Sequence, residues 1–201
     1  MTEKKSVLEF EVPQKEVLNS NSMPSHFIVK GNMVANLREM GAQAGALLHP
    51  EEVQPVVFEK LHWLKAQQAT QLKKSRLRKR LLKDNEKGLF EVDVEAEIAK
   101  QFPDDDEKVF DIPPLFDKFA IRLIVMPPTR RRFDPPNLWP SLKALGDGLT
   151  DAGLWEDDSF EYMVETSFRA GGLSGIKGVW KLRLEITEVE DLSDFVVSNK
   201  E

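Results

Sequence analysis

The eight residues from Phe119 to Met126 carry a single charge, Arg122, in an otherwise apolar run that Pro127-Pro128 stops. Phe119, Ile121, Leu123 and Val125 alternate with Ala120, Arg122, Ile124 and Met126. A run this short and this apolar predicts a central strand covered on both faces. Such a strand needs neighbours in a sheet and helices over it, and the sequence offers both. Leu8, Phe10 and Val12 alternate with Glu9 and Glu11; Tyr162, Val164, Thr166 and Phe168 form another period-two segment. Trp180, Leu182, Leu184 and Ile186 alternate with Lys181, Arg183, Glu185 and Thr187 in the cleanest strand pattern of the chain. Met33, Leu37, Met40, Ala44, Leu47 and Leu48 recur at steps of three and four and predict an amphipathic helix, which His49-Pro50 ends. A second helix follows Asp134-Pro135-Pro136-Asn137 and runs to about Ala152, with Gly153 placed to stop it. The order of elements predicts an α+β (mixed α/β) fold: a single mixed sheet with helices packed on it.

Residues from about 51 to 115 break this pattern. Lys and Arg far outnumber acids between Lys60 and Lys87, and Leu61, Leu64, Leu72, Leu77 and Leu81 supply an apolar stripe. A long basic helix is expected there, followed by an acidic stretch that includes Asp104-Asp105-Asp106-Glu107. The expectation is one domain over residues 1–201, with a charged helical insertion at about 51–115 and a polar C-terminal tail from about 190. The 201 residues include no cysteine, which removes disulfides, thiol nucleophiles and cysteine metal sites and suits a reducing, cytoplasmic setting. No apolar run is long enough for a membrane span, and Met1 to Ser6 do not read as a secretory signal. The net charge of −6 leaves nucleic-acid binding open, because the local distribution of charge decides it.

Chemistry is concentrated between Arg130 and Asp158. Arg130, Arg131 and Arg132 follow the buried strand, Asp134 stands at the corner into the next helix, and Asp157-Asp158 come one helix later. The helix turns the chain back, so Asp134 and the acidic pair can approach each other. Carboxylate oxygens suit a hard cation such as Mg²⁺, and phosphodiester hydrolysis uses such a cation to activate water and offset developing charge. Neighbouring Arg and Lys hold phosphate.

At these residues the chain resembles a known family. Arg130-Arg131-Arg132, Asp134-Pro135-Pro136-Asn137, Lys143, Asp147 and Ala152-Gly153-Leu154-Trp155-Glu156-Asp157-Asp158 look like the corresponding motif of the RusA-type Holliday junction resolvases. The resemblance is good from about Phe119 to Glu188, weak over Val7 to Leu48, and absent over about 51–115. It implies a homodimeric, Mg²⁺-dependent endodeoxyribonuclease that cuts four-way DNA junctions symmetrically in recombination and repair. It further implies metal ligation by Asp134, Asp157 and Asp158 and catalytic roles for Asp134, Asp158, Lys143 and Asn137. DNA contacts are expected from Arg130, Arg131 and Arg132, and from Lys79, Arg80 and Lys83 on the basic helix. Two features depart from the family pattern: Pro136 stands where a second acid is common, and the spacing from Asn137 to Lys143 is longer.

Plainer readings stand beside these. Asp134 before Pro135 fits a helix N-cap. Asp157-Asp158 fits a solvated turn, and Lys143 with Asp147, four residues on, fits an intrahelical ion pair. The basic run from Lys73 to Lys83 fits a solvated helix face. The tryptophans Trp155 and Trp180 are expected in the core. As a whole, the chain reads as a junction nuclease, with a non-catalytic DNA-binding relative of the same fold and a protein-interaction module built on the charged insertion as the alternatives.

Overall fold

The computed structural model describes residues 4–87, 92–103 and 108–189. Its fold is mixed α/β, with one four-stranded sheet. Strands β1 (Lys5–Pro13), β2 (Phe119–Met126), β3 (Met163–Ala170) and β4 (Val179–Glu188) lie in the order β1-β4-β2-β3. β4 runs antiparallel to both its neighbours, while β2 and β3 are parallel and joined through a helix. Three strands therefore end, and β4 begins, along one edge of the sheet. The polar tail expected from about 190 lies outside the described residues.

The register explains which side chains are buried. Phe10 stands opposite Leu182, Leu123 opposite Leu184, and Ile121 opposite Ile186. These residues, with Val12, Phe119 and Val125, line one fully buried face. The opposite face carries cross-strand pairs: Arg183 Nε donates to Glu9 Oε1 at 2.6 Å, Lys181 lies 3.4 Å from Glu11, and Arg122 lies 3.7 Å from Glu185. The expectation that β2 is covered on both faces is therefore corrected. Arg122 is exposed, and its face of the strand is only partly buried, because the register sets it beside the charges of β4.

Helices α1 (Phe27–Ala46) and α4 (Trp139–Asp151) cross at very short range. A Cβ on Gly41 would stand 2.2 Å from the Leu145 carbonyl oxygen, and one on Gly148 only 2.0 Å from that of Arg38. Side-chain-free positions on both helices thus let the backbones touch. Arg38 closes the crossing with a two-pronged contact to Asp151, Nε–Oδ2 2.5 Å and Nη2–Oδ1 2.7 Å. Helix and sheet meet in one core where Trp155, after α4, stacks on Phe119 of β2 with ring centres 3.9 Å apart.

Residues Pro55–Asp111 form a second compact unit, within the segment read as an insertion. It holds α2 (Gln54–Glu86) from its second residue on, a helix about 50 Å long at 1.5 Å per residue, and α3 (Val94–Gln101). α3 is a helix where the sequence reading places only an acidic stretch, and Asp104 to Glu107 of that stretch lie outside the described residues. Asp93 starts α3 by accepting the backbone N–H groups of Glu95 and Ala96 at 3.1 Å, as an N-cap should. Arg78 of α2 grips Glu95 with both prongs, at 2.9 and 2.6 Å. Among the described residues no helix is long and apolar enough to cross a membrane.

Candidate functional site

The chain leaves β2 through Pro127-Pro128, passes the three arginines, and turns at Asp134 into a 3-10 turn, Pro135–Leu138, that runs directly into α4. Asp134 occupies the N-cap position with proline behind it, yet its carboxylate makes no capping hydrogen bond. Only its carbonyl is used, accepting the Asn137 N–H at 3.1 Å. The carboxylate is thus exposed and not committed to the helix end.

Asn137 is held from the other side. Ser20 donates its hydroxyl to the Asn137 carbonyl at 3.2 Å. One turn on, the buried Ser141 hydroxyl accepts the Leu18 N–H and donates to the Leu18 carbonyl, both at 2.9 Å. These bonds fix the loop after β1 against the start of α4.

After α4 the chain reverses at Gly153, whose φ of 78° is the left-handed conformation glycine favours. The Leu154 N–H reaches back to the Leu149 carbonyl at 3.2 Å, and the buried His49 ring contacts the Ala152 carbonyl at 2.9 Å. This reversal returns Asp157 and Asp158 along α4. There Asp158 meets the Lys143 ammonium, which also donates to Asp147 at 2.6 Å. One oxygen of Asp157 accepts the Asp158 N–H at 2.8 Å. Partial burial lowers the Lys143 pKa, but hydrogen bonds and charge from Asp147 and Asp158 outweigh it and hold the ammonium above the ordinary lysine value. The group stays charged at neutral pH. The stability it contributes is complete below the ordinary lysine pKa and is lost only as pH rises through the higher folded value.

Lys143, Asp147 and Asp158 are thus brought together, with Asp157 adjoining. Asp134 and Asn137 share no hydrogen bond with that cluster, and among the described residues no three His, Asp or Glu side chains could together hold a metal ion. By donor chemistry the residues still fit Mg²⁺. Asp134 and Asp157 are exposed hard-oxygen donors, and Asp147 and Asp158 already share one cation, the ammonium. Mg²⁺ itself commonly takes one or two protein carboxylates, with substrate phosphate and water completing its shell.

Arg130, Arg131 and Arg132 are exposed at the sheet edge. Arg131 and Arg132 line a cavity of about 320 Å³ together with Gln14, Asn19, Pro127, Pro128, Thr129, Phe133 and Trp180. Its lining residues are scattered along the chain and carry no common pattern in the sequence. Trp155 is in the core as expected, but Trp180 is half-buried and meets Phe133 edge-on at 5.5 Å, at the cavity wall. Lys79, Arg80 and Lys83 are exposed on α2, in the second unit.

If those three form a DNA arm, replacing all of them with glutamine is expected to reduce the log–log salt dependence of junction binding by up to ~3, about one unit per lost phosphate contact. Fluorescence anisotropy over a salt series measures it. An unchanged slope assigns the run to a solvated helix face.

No family model matches the chain, and no curated protein matches it.

Proposed function

We propose that the protein is a Mg²⁺-dependent endonuclease for four-way DNA junctions, of the RusA type, acting as a homodimer in recombination or repair. The observation that carries this reading is the meeting of Lys143 with Asp158, fifteen positions apart in the sequence, beside Asp157 and on an exposed surface. A salt bridge alone is ordinary. This one joins two separate pieces of the motif, which a chance resemblance along the sequence would not require.

In this reading Asp134, Asp157 and Asp158, which do not stand together as a three-ligand group, would hold Mg²⁺ only with substrate phosphate and water completing its shell, and the ion would supply an activated water and charge neutralisation. The arginines after β2 bind backbone phosphate. Asn137, fixed through its backbone, orients the Asp134 turn. Lys143 is a positive charge held in place by two carboxylates, so that it faces the phosphate with little reorganisation as negative charge builds on its oxygens. A homodimer sets two such sites against the two equivalent strands of a junction.

Lys143 tests the reading. Lys143→Gln is expected to lower the cleavage rate about 10²-fold or more, the scale seen when one preorganised donor is removed, with junction affinity reduced far less. Lys143→Arg keeps the charge and is expected to recover part of the rate. Equal rates in wild type and Lys143→Gln would rule out this role.

That no three acids form a preformed group among the described residues, together with the proline at position 136, favours one second reading: a relative that binds junctions without cutting them. It predicts a gel shift in Mg²⁺ with every strand intact.

A further inference from the structure

We infer that the cavity at the strand-end edge of the sheet is a pocket for one unpaired nucleotide of a DNA strand. The inference rests on the nuclease reading and deepens it by assigning the site that receives the opened part of the substrate.

Three separated parts of the chain build the cavity: the end of β1 with its following loop, the β2 exit, and the start of β4. Backbone hydrogen bonds fasten that edge, from Gln14 N–H to the Gly178 carbonyl at 2.8 Å and from Ser174 N–H to the Pro127 carbonyl at 2.9 Å. The walls are therefore set by the sheet itself. At about 320 Å³ the space is at the lower end of the range for small-ligand pockets, roughly 300–1,000 Å³, which suits a single base and its phosphate and excludes a duplex.

The lining matches the three parts of a nucleotide. Phe133 and Trp180, both half-buried and edge-on to each other, offer an aromatic surface on which a base can stack. Gln14 and Asn19 bring side-chain amides, which pair with base edges. One Asn19 oxygen already accepts the Asn21 N–H at 2.9 Å, which orients the amide and leaves its NH₂ for a ligand. Arg131 and Arg132 are exposed and make no ion pair among the described residues, so their guanidinium groups are available to a phosphate. An acidic peptide would use the arginines but not the stacking surface, and an apolar ligand would use neither cation nor amide. Asp134 directly follows Phe133 in the chain. A nucleotide in the pocket would therefore lie next in sequence to the first proposed metal ligand. A junction offers such a nucleotide at its crossing point, where enzymes that work on bases or opened strands take one out of the stack.

The test uses the full chain and a single-stranded DNA hexanucleotide with 2-aminopurine at a central position. Saturable binding with a change in 2-aminopurine fluorescence is expected. Phe133→Leu, which keeps apolar volume but loses the ring, is expected to weaken it about fivefold or more. Arg132→Gln is expected to reduce the log–log salt slope by about 0.7, the single-strand value for one phosphate. Leu47→Ala, an exposed change outside the cavity, should leave binding unaltered, and circular dichroism checks that each variant folds. No binding by folded wild type, or binding indifferent to both pocket changes, overturns the pocket. The two claims fail separately. A hexanucleotide held by Phe133 and Arg132 alongside junctions that stay uncut keeps the pocket and removes the nuclease. Junction cleavage with indifferent hexanucleotide binding does the reverse.

Discussion

Asp158→Asn is expected to lower junction cleavage by on the order of 10³-fold or more while junction binding holds or tightens. On the proposed reading the change would remove a metal ligand, and metal charge stabilisation supplies several kcal/mol at about 1.4 kcal/mol per tenfold. Binding would hold because one negative charge beside the proposed phosphate site is gone. The fold is not at risk. The Lys143–Asp158 pair has side-chain exposures of 47% and 26%, and pairs open to water contribute about 0–1 kcal/mol. Asp134→Asn should behave in the same way, since its carboxylate makes no capping bond whose loss would weaken the helix. Single-turnover cleavage and a binding titration on the same junction separate the two effects. A wild-type rate in either variant would refute the metal assignment.

The largest effect on stability is expected from Gly148→Ala. The new Cβ would lie 2.0 Å from the Arg38 carbonyl oxygen and 2.6 Å from the Ala42 nitrogen. Both are backbone atoms of α1, so no side chain can swing aside and the helices must separate. Overpacking typically costs 1–3 kcal/mol, and a backbone-on-backbone clash belongs at about 3 kcal/mol. At roughly 2–4 °C per kcal/mol for a chain of this size, the melting temperature should fall by about 6–12 °C. Gly146, two residues earlier on the same helix, is the control. Nothing lies within 4 Å of its Cβ position, so Gly146→Ala should gain up to ~1 kcal/mol of helix propensity. Thermal melts of the two variants read the difference, and similar melts would contradict the close crossing.

What the sequence revealed, and what it hid, follows from how local each signal is. β4 was legible because Trp180 to Thr187 alternate without a break and the sheet has one buried face. The second face of β2 is not legible in the sequence, because Ile124 and Met126 look as apolar as Leu123 and Val125. Only the register shows Ile124 beside Arg183 and Met126 beside Lys181. α3 was hidden by its charge density, since its start depends on the Asp93 cap and its packing on Arg78. The glycines of the helix crossing carry no pattern of their own: Gly146 and Gly148 are alike in sequence and opposite in surroundings. In the site, the pieces near Asp134 and Asp158 could be named from the motif. That Lys143 joins Asp158 depends on the reversal at Gly153, and the cavity depends on three segments meeting at one sheet edge. Gly153 marks the helix end in the sequence but not that the turn brings Asp158 onto Lys143, and the cavity has no local signature.

The central claim, paired cutting of a four-way junction, is tested most directly with a supercoiled plasmid that extrudes a cruciform. The purified protein is added with Mg²⁺, with EDTA, and as Asp158→Asn with Mg²⁺. Linear plasmid is expected in the first reaction, from two nicks made in one binding event, and none in the other two, with Asp158→Asn still shifting a synthetic junction on a gel. Uncut plasmid in all three reactions, despite a junction shift by the wild-type protein, would contradict it.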